Sequence, residues 1–137
     1  MMGDPDYLLD TDTCIFARRN KPEAVLKKLL NLGFDRVCIS VVTFYELSYG
    51  AEKHDHPIRA RQQLRDFLRP FRIMEWTEEA AAECARVRAR LEKQGQMICP
   101  YDVQIAGHAR ALGRTVVTNN VREFQRVDGI RVENWCA

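Results

Sequence analysis

Four short runs, "YLLD" at 7–10, "VCIS" at 37–40, "RIME" at 72–75 and "TVVT" at 115–118, constrain this chain more than any other feature. Each is too short for a helix and carries the apolar residues of a strand candidate. "IRVE" at 130–133 is a fifth, weaker candidate. Between the runs, apolar residues recur at helical spacing. Strands that alternate with helices are joined by crossovers, which makes their sheet mainly parallel and covers it on both faces. The expected class is α/β.

Helix boundaries are marked by capping residues. "KPEAVLKKLLNLG" has a proline near its first turn and closes at Gly33, and "TFYELSYGAEK" follows the second strand almost at once. "PIRARQQLRDFLRPF" places Ile58, Leu64, Phe67, Leu68 and Phe71 on one side, with Pro70 as a kink or early end. "TEEAAAECARVRARLEKQG" opens on Thr77 as N-cap and stops at Gly95. "PYDVQIAGHARALG" begins with Pro100 at a first helical position and ends at Gly113. No repeat, linker or boundary interrupts the pattern, so one domain over residues 1–137 is expected; at that length a chain hides roughly two-thirds of the surface it exposes unfolded.

Composition excludes several classes. Apolar residues make up 46% and charged residues 29%, an ordinary globular balance. No apolar run is long enough to span a bilayer, and "MMGDPDYLLD" lacks the basic start and cleavage site of a signal peptide, so the expected location is the cytoplasm, away from membranes. The five cysteines, Cys14, Cys38, Cys84, Cys99 and Cys136, are odd in number and never in C-x-x-C spacing, which fits reduced thiols rather than a disulfide framework or zinc ribbon. A net charge of +2 implies no polyanion partner by itself. Three local basic clusters are Arg18, Arg19 and Lys21, then Arg59, Arg61, Arg65 and Arg69, then Arg86, Arg88, Arg90 and Lys93. Each reads either as a phosphate-contacting surface or as a solvated helix face.

Parallel sheets build their sites at the carboxyl ends of strands. Asp10 ends the first run; Glu46 lies about a turn and a half into the helix after the second; Asp102 sits in the first turn behind Pro100. After "TVVT" come Asn119, Asn120 and, a turn later, Glu123. Asp10, Glu46 and Asp102 are flanked by apolar residues, and no lysine or arginine adjoins Asp10 or Asp102. An ionised carboxylate leaves water only when paired or metal-bound, so a hard divalent cation, Mg²⁺ or Mn²⁺, is a reasonable occupant. "DTDT" at 10–13 also suits a phosphatase of the haloacid dehalogenase type, with "VCIS" as its strand-ending serine. That chemistry needs a lysine and a later acidic pair, where this chain has "TNN". Asp12 reads as a helix N-cap; His54 and His56 in "KHDHP" have no further zinc ligand nearby; His108, two turns beyond Asp102, reads as a packed or exposed histidine.

Taken together, "LLDTDTCIF", "CISVVTFYELSYGAEK", "PYDVQIAGHARALG" and "TVVTNNVREFQRV" resemble a PIN-domain protein, nearest to the VapC toxins of VapBC toxin–antitoxin modules, over about residues 7–135. The resemblance implies a three-layer α/β/α sandwich around a mainly parallel sheet. It implies Mg²⁺-dependent endoribonuclease activity, with Mn²⁺ as a possible substitute, that uses metal-activated water and leaves a 5′-phosphate and a 3′-hydroxyl. A VapB-like antitoxin partner, a homodimer and an RNA substrate, tRNA above all, follow from the same likeness. The family's acids carry over to Asp10, Glu46 and Asp102; its fourth acidic position falls on Asn120, with Glu123 one turn on as a substitute. Thr118 and Asn119 are then supporting residues, and Phe16, Phe44, Tyr45 or Tyr101 could stack on an unpaired base. Asn120 keeps a non-catalytic RNA-binding module open, and a PIN nuclease of RNA processing or DNA repair is a further alternative.

Overall fold

The computed structural model describes residues 4–136. In chain order it runs β1 (Tyr7–Leu9), α1 (Thr11–Arg19), α2 (Glu23–Leu32), a single 3₁₀ turn (Phe34–Arg36), β2 (Val37–Ser40), α3 (Val41–Glu52) and α4 (Pro57–Leu68). β3 (Arg72–Met74), α5 (Glu78–Gln94), α6 (Pro100–Leu112), β4 (Thr115–Val117), α7 (Val121–Phe124) and β5 (Val132–Glu133) follow. The five strands pair in parallel in the order β3-β2-β1-β4-β5, so Leu8 lies between Cys38 and Val116. The sheet grows outward from β1 in one direction, then returns to the other side of it. Right-handed crossovers that reverse direction in this way must place their helices on opposite faces.

Side-chain alternation shows the two faces directly. Leu9, Val37, Ile39 and Val117 pack against Cys14, Val25, Leu29, Leu64 and Phe71 from α1 to α4 and the turn after it. Their neighbours Leu8, Cys38 and Val116 point the other way, onto Val87, Leu91, Ile105, Ala106 and Phe124 of α5, α6 and α7. A period of two that buries both faces is why β1, β2 and β4 read as apolar runs rather than as alternating patterns, whereas the edge strand β3 is largely exposed. The three-layer α/β/α architecture is as expected. α5 and α6 cross at backbone contact: a Cβ on Gly107 would stand 2.6 Å from the Cα of Cys84.

Several boundaries differ from expectation, each for a local reason. Asp10, not Asp12, is the N-cap of α1, its Oδ1 accepting from the Thr11 N–H at 2.8 Å; Asp12 lies in the first turn. Ser40 caps α3 through the Val42 N–H (3.0 Å), which starts that helix ahead of the expected "TFYE". α4 ends at Leu68, before Pro70, and Ile58 is 80% exposed: Ala60, Leu64 and Leu68 repeat at four-residue spacing and take the buried stripe instead. β5 is only two residues long.

Ion pairs resolve much of the basic clustering. Arg61 pairs with Glu52, Arg69 with Asp66, Arg88 with Glu92 and Arg90 with Asp128 at the exposed surface, and Arg86 pairs with the half-buried Glu83. The His54 Nδ1 accepts from the His56 N–H at 3.0 Å, so that nitrogen is committed within its own loop. The cysteines are free. Among the described residues no helix is long and apolar enough to cross a membrane.

Candidate active site

β1 and β4 are neighbours, yet the chain leaves them toward opposite layers, by α1 and by α7. A crevice opens where the chain diverges, outside the carboxyl ends of the strands. Asp10 enters it from β1, Thr118 to Asn120 from β4, Glu46 from α3 and Asp102 from α6.

Asp10 is 4% exposed. Its Oδ1 accepts the Thr11 N–H and its Oδ2 accepts the Thr118 hydroxyl, both at 2.8 Å. Both donors are neutral. Burial, then the charges of Asp12 and Glu46, push the Asp10 carboxyl up to about 7 against the pull of those hydrogen bonds. The Thr11 hydroxyl donates to Glu46 Oε1 at 2.7 Å, which ties the end of β1 to α3. Only a threonine directly after the strand-ending acid hinted at that link.

The second half of the site comes from the opposite layer. Asn120 Nδ2 donates to Asp102 Oδ2 at 3.2 Å and to Glu123 Oε2 at 2.7 Å. Burial, followed by the hydrogen bond with Glu123 and the nearby acid charges, raises Asp102 to about 8, while that same bond lowers Glu123. The pair therefore holds a proton on the Asp102 side. Asn120 is a neutral bridge between two carboxylates rather than an isolated ligand. Its own N–H donates to the Thr118 hydroxyl at 2.9 Å, so one hydrogen-bonded path runs from Asn120 through Thr118 to Asp10.

Asp12 and Asn119 do something else. The Asn119 N–H donates to Asp12 Oδ2 at 3.2 Å, and Asn119 Oδ1 accepts from Asn134 Nδ2 at 3.3 Å. Asp12 fastens the loop that carries Thr118 and Asn120, and the Asn119 side chain turns toward Asn134. His108 is buried, with Nδ1 2.8 Å from the Ser40 hydroxyl and its ring against Trp76. Burial lowers its pKa, so it is neutral near pH 7.

None of Asp10, Asp12, Glu46, Asp102 and Glu123 has a salt bridge to lysine or arginine among the described residues. Nor, among the described residues, are three His, Cys, Asp or Glu side chains already gathered around one point. The arrangement is two oxygen-only half-sites, Asp10 with Glu46 and Asp102 with Glu123. That donor set fits a small hard cation, which keeps several waters and takes one or two carboxylates. Two carboxyls held well above their ordinary range are what such a charge would relieve. A hollow of about 470 Å³ between α3 and α4, lined by Phe44, Leu64, Leu68, Phe71 and Ile73, lies away from these acids.

A PIN domain family profile matches residues 7–130. The chain is 45% identical over 130 residues to the tRNA(fMet)-specific endonuclease VapC of Salmonella typhimurium, covering 95% of this chain and 98% of that one. It is 40% identical over 129 residues to ribonuclease VapC2 of Haemophilus influenzae, at 94% and 97% coverage. The crystal structure of DNA-bound VapBC from Salmonella typhimurium superposes with a TM-score of 0.90 at 44% identity, over 96% of this chain and 99% of that one. VapBC2 from Rickettsia felis, bound to a promoter DNA fragment, gives 0.86 at 31% identity, over 94% and 98%.

Proposed function

The chain belongs to the PIN-domain family, in its VapC branch, and from that premise we propose that it is an Mg²⁺-dependent endoribonuclease, the toxin of a toxin–antitoxin pair, that cuts tRNA in the cytoplasm and so halts translation. Residues 1–137 act as one domain, as a homodimer held in check by a VapB-like antitoxin. Initiator tRNA is the first substrate to test, because the relatives at 45% and 43% identity are named for tRNA(fMet). The observation that carries the reading is one crevice lined by Asp10, Glu46, Asp102 and Glu123, with no lysine or arginine salt-bridged to any of them among the described residues.

A bound Mg²⁺ or Mn²⁺ would lower the pKa of water and offset charge that builds on the phosphate oxygens. The protein's part is to hold the acids in place beforehand. Thr11 and Thr118 orient the Asp10 carboxylate, Thr11 also anchors Glu46, and the Asn120 amide sets the angle between Asp102 and Glu123. No side-chain nucleophile is required. The Thr11 and Thr118 hydroxyls are spent on carboxylates, and the buried Cys14 thiol is pushed up by burial and by Asp10 and Asp12, so no thiolate forms. Metal-activated water is the attacker in this reading, and the products are a 5′-phosphate and a 3′-hydroxyl. The phosphatase alternative lacks the lysine and the later acidic pair that its chemistry needs, since the strand β4 is followed by Asn119 and Asn120.

The test is incubation of the purified chain with initiator and elongator tRNAs in Mg²⁺ or Mn²⁺, with the new 5′ ends mapped. Cleavage should depend on Asp10 and Asp102. RNA retained but uncut in both metals would leave a binding module, and turnover of a simple phosphomonoester would restore the phosphatase.

A further inference from the structure

Each of two site acids is preceded by an exposed tyrosine: Tyr45 before Glu46 and Tyr101 before Asp102. Consecutive helical residues point about 100° apart, so an acid aimed into the crevice leaves the preceding ring on its lip. α3 and α6 belong to opposite layers, yet these two rings meet. Their centroids are 5.8 Å apart at a tilt of 51°, with the hydroxyls 3.5 Å apart.

The strip continues along α3. Tyr49, one turn beyond Tyr45, is 59% exposed, and the Lys53 Nζ sits 5.0 Å from its ring centroid. Aromatic faces interleaved with a cation suit single-stranded nucleic acid, because every base offers a π-face and every nucleotide a phosphate. A phosphodiester brought to Asp10 and Asp102 necessarily carries a base on each side. The strip touches Glu46 at one end and Lys53 at the other, whereas the core of a protein interface is depleted of charge.

We infer that Tyr45 and Tyr101 form an aromatic lip on which an unpaired nucleobase beside the scissile bond stacks, with Tyr49 and Lys53 receiving the next nucleotide. This rests on the ribonuclease reading and adds to it the residues that hold single-stranded substrate.

The test separates binding from chemistry. Anisotropy of a labelled hairpin RNA of the tRNA loop, measured in EDTA, reads binding without cleavage. Tyr45→Ala and Tyr101→Ala should each weaken it roughly 5- to 100-fold, the range of one lost base stack. Tyr45→Phe and Tyr101→Phe, which keep the ring, should stay within about twofold. With abasic sites placed in turn through the loop, one position should erase the alanine penalty. Alanine variants that bind intact and abasic RNA as the parent does would overturn the lip. So would variants that turn a dimer into a monomer by sedimentation while RNA affinity is unchanged, since the surface would then belong to a second copy. A parent chain that never cuts in Mg²⁺ while the alanine penalty persists would refute the nuclease and leave the lip standing.

Discussion

The Thr118 hydroxyl donates to Asp10 Oδ2 at 2.8 Å, joining residues 108 positions apart, and accepts the Asn120 N–H at 2.9 Å. One buried hydroxyl thus links the end of β1 to the loop after β4. Thr118→Val keeps the shape, removes the donor and strands the Asn120 N–H. A loss of about 1–3 kcal/mol in stability is expected. The Mg²⁺ concentration for half-maximal cleavage should rise roughly 10- to 100-fold, as when a residue behind a metal ligand is removed. Thr118→Ser should recover both; a valine variant with unchanged metal dependence would deny Thr118 this role.

Asp10→Asn should abolish cleavage yet melt in EDTA at the parent's temperature or above it. The amide can still accept the Thr11 N–H, and it removes a buried charge whose carboxyl is pushed up to about 7. Asp12→Asn should lower activity only severalfold, because its amide oxygen can still accept the Asn119 N–H. Equal losses from both variants would return Asp12 to the chemistry.

Stability in the absence of metal should fall as pH rises from about 4 to 8. Asp10 and Asp102, raised to about 7 and about 8, keep protons in the folded state that the unfolded chain has already released, so each rise in pH across that window favours unfolding. A divalent cation needs the ionised carboxylates, so Mg²⁺ should raise the melting temperature more at pH 8 than at pH 5. Equal Mg²⁺ shifts at the two pH values would disprove the coupling.

Asn120→Asp replaces a bridge with a charge. The variant loses both donations from Nδ2 and sets a third carboxylate beside Asp102 and Glu123. Metal-free stability should drop by about 1–3 kcal/mol. Calorimetric titration with Mn²⁺ should show tighter binding or a second site, and an unaltered isotherm would mean that position 120 lies outside the metal's reach.

Much of this was readable in the chain. Five strands and their parallel order of layers followed from short apolar runs, and Thr77, Gly95, Pro100 and Gly113 marked helix ends where the structure has them. The misses are of one kind. Asp12 looked like the cap because Asp-Thr pairs start helices, but Asp10, at the end of β1, reaches the first free N–H. Ile58 looked buried beside Leu64, though Ala60 holds the phase of the stripe.

Sequence by itself determined the alternation of strands and helices, and with it that polar residues after each strand would share one edge, because burial periodicity and capping act over a few residues. Tertiary structure alone decided which of those residues touch. Thr11 meets Glu46 across 35 positions, Asn120 meets Asp102 across 18, and Tyr45 meets Tyr101 across 56. Such partners are chosen by how strands order in the sheet and how α3 and α6 approach over the crevice. No local preference in either segment encodes that choice, so it appears only once the layers have packed.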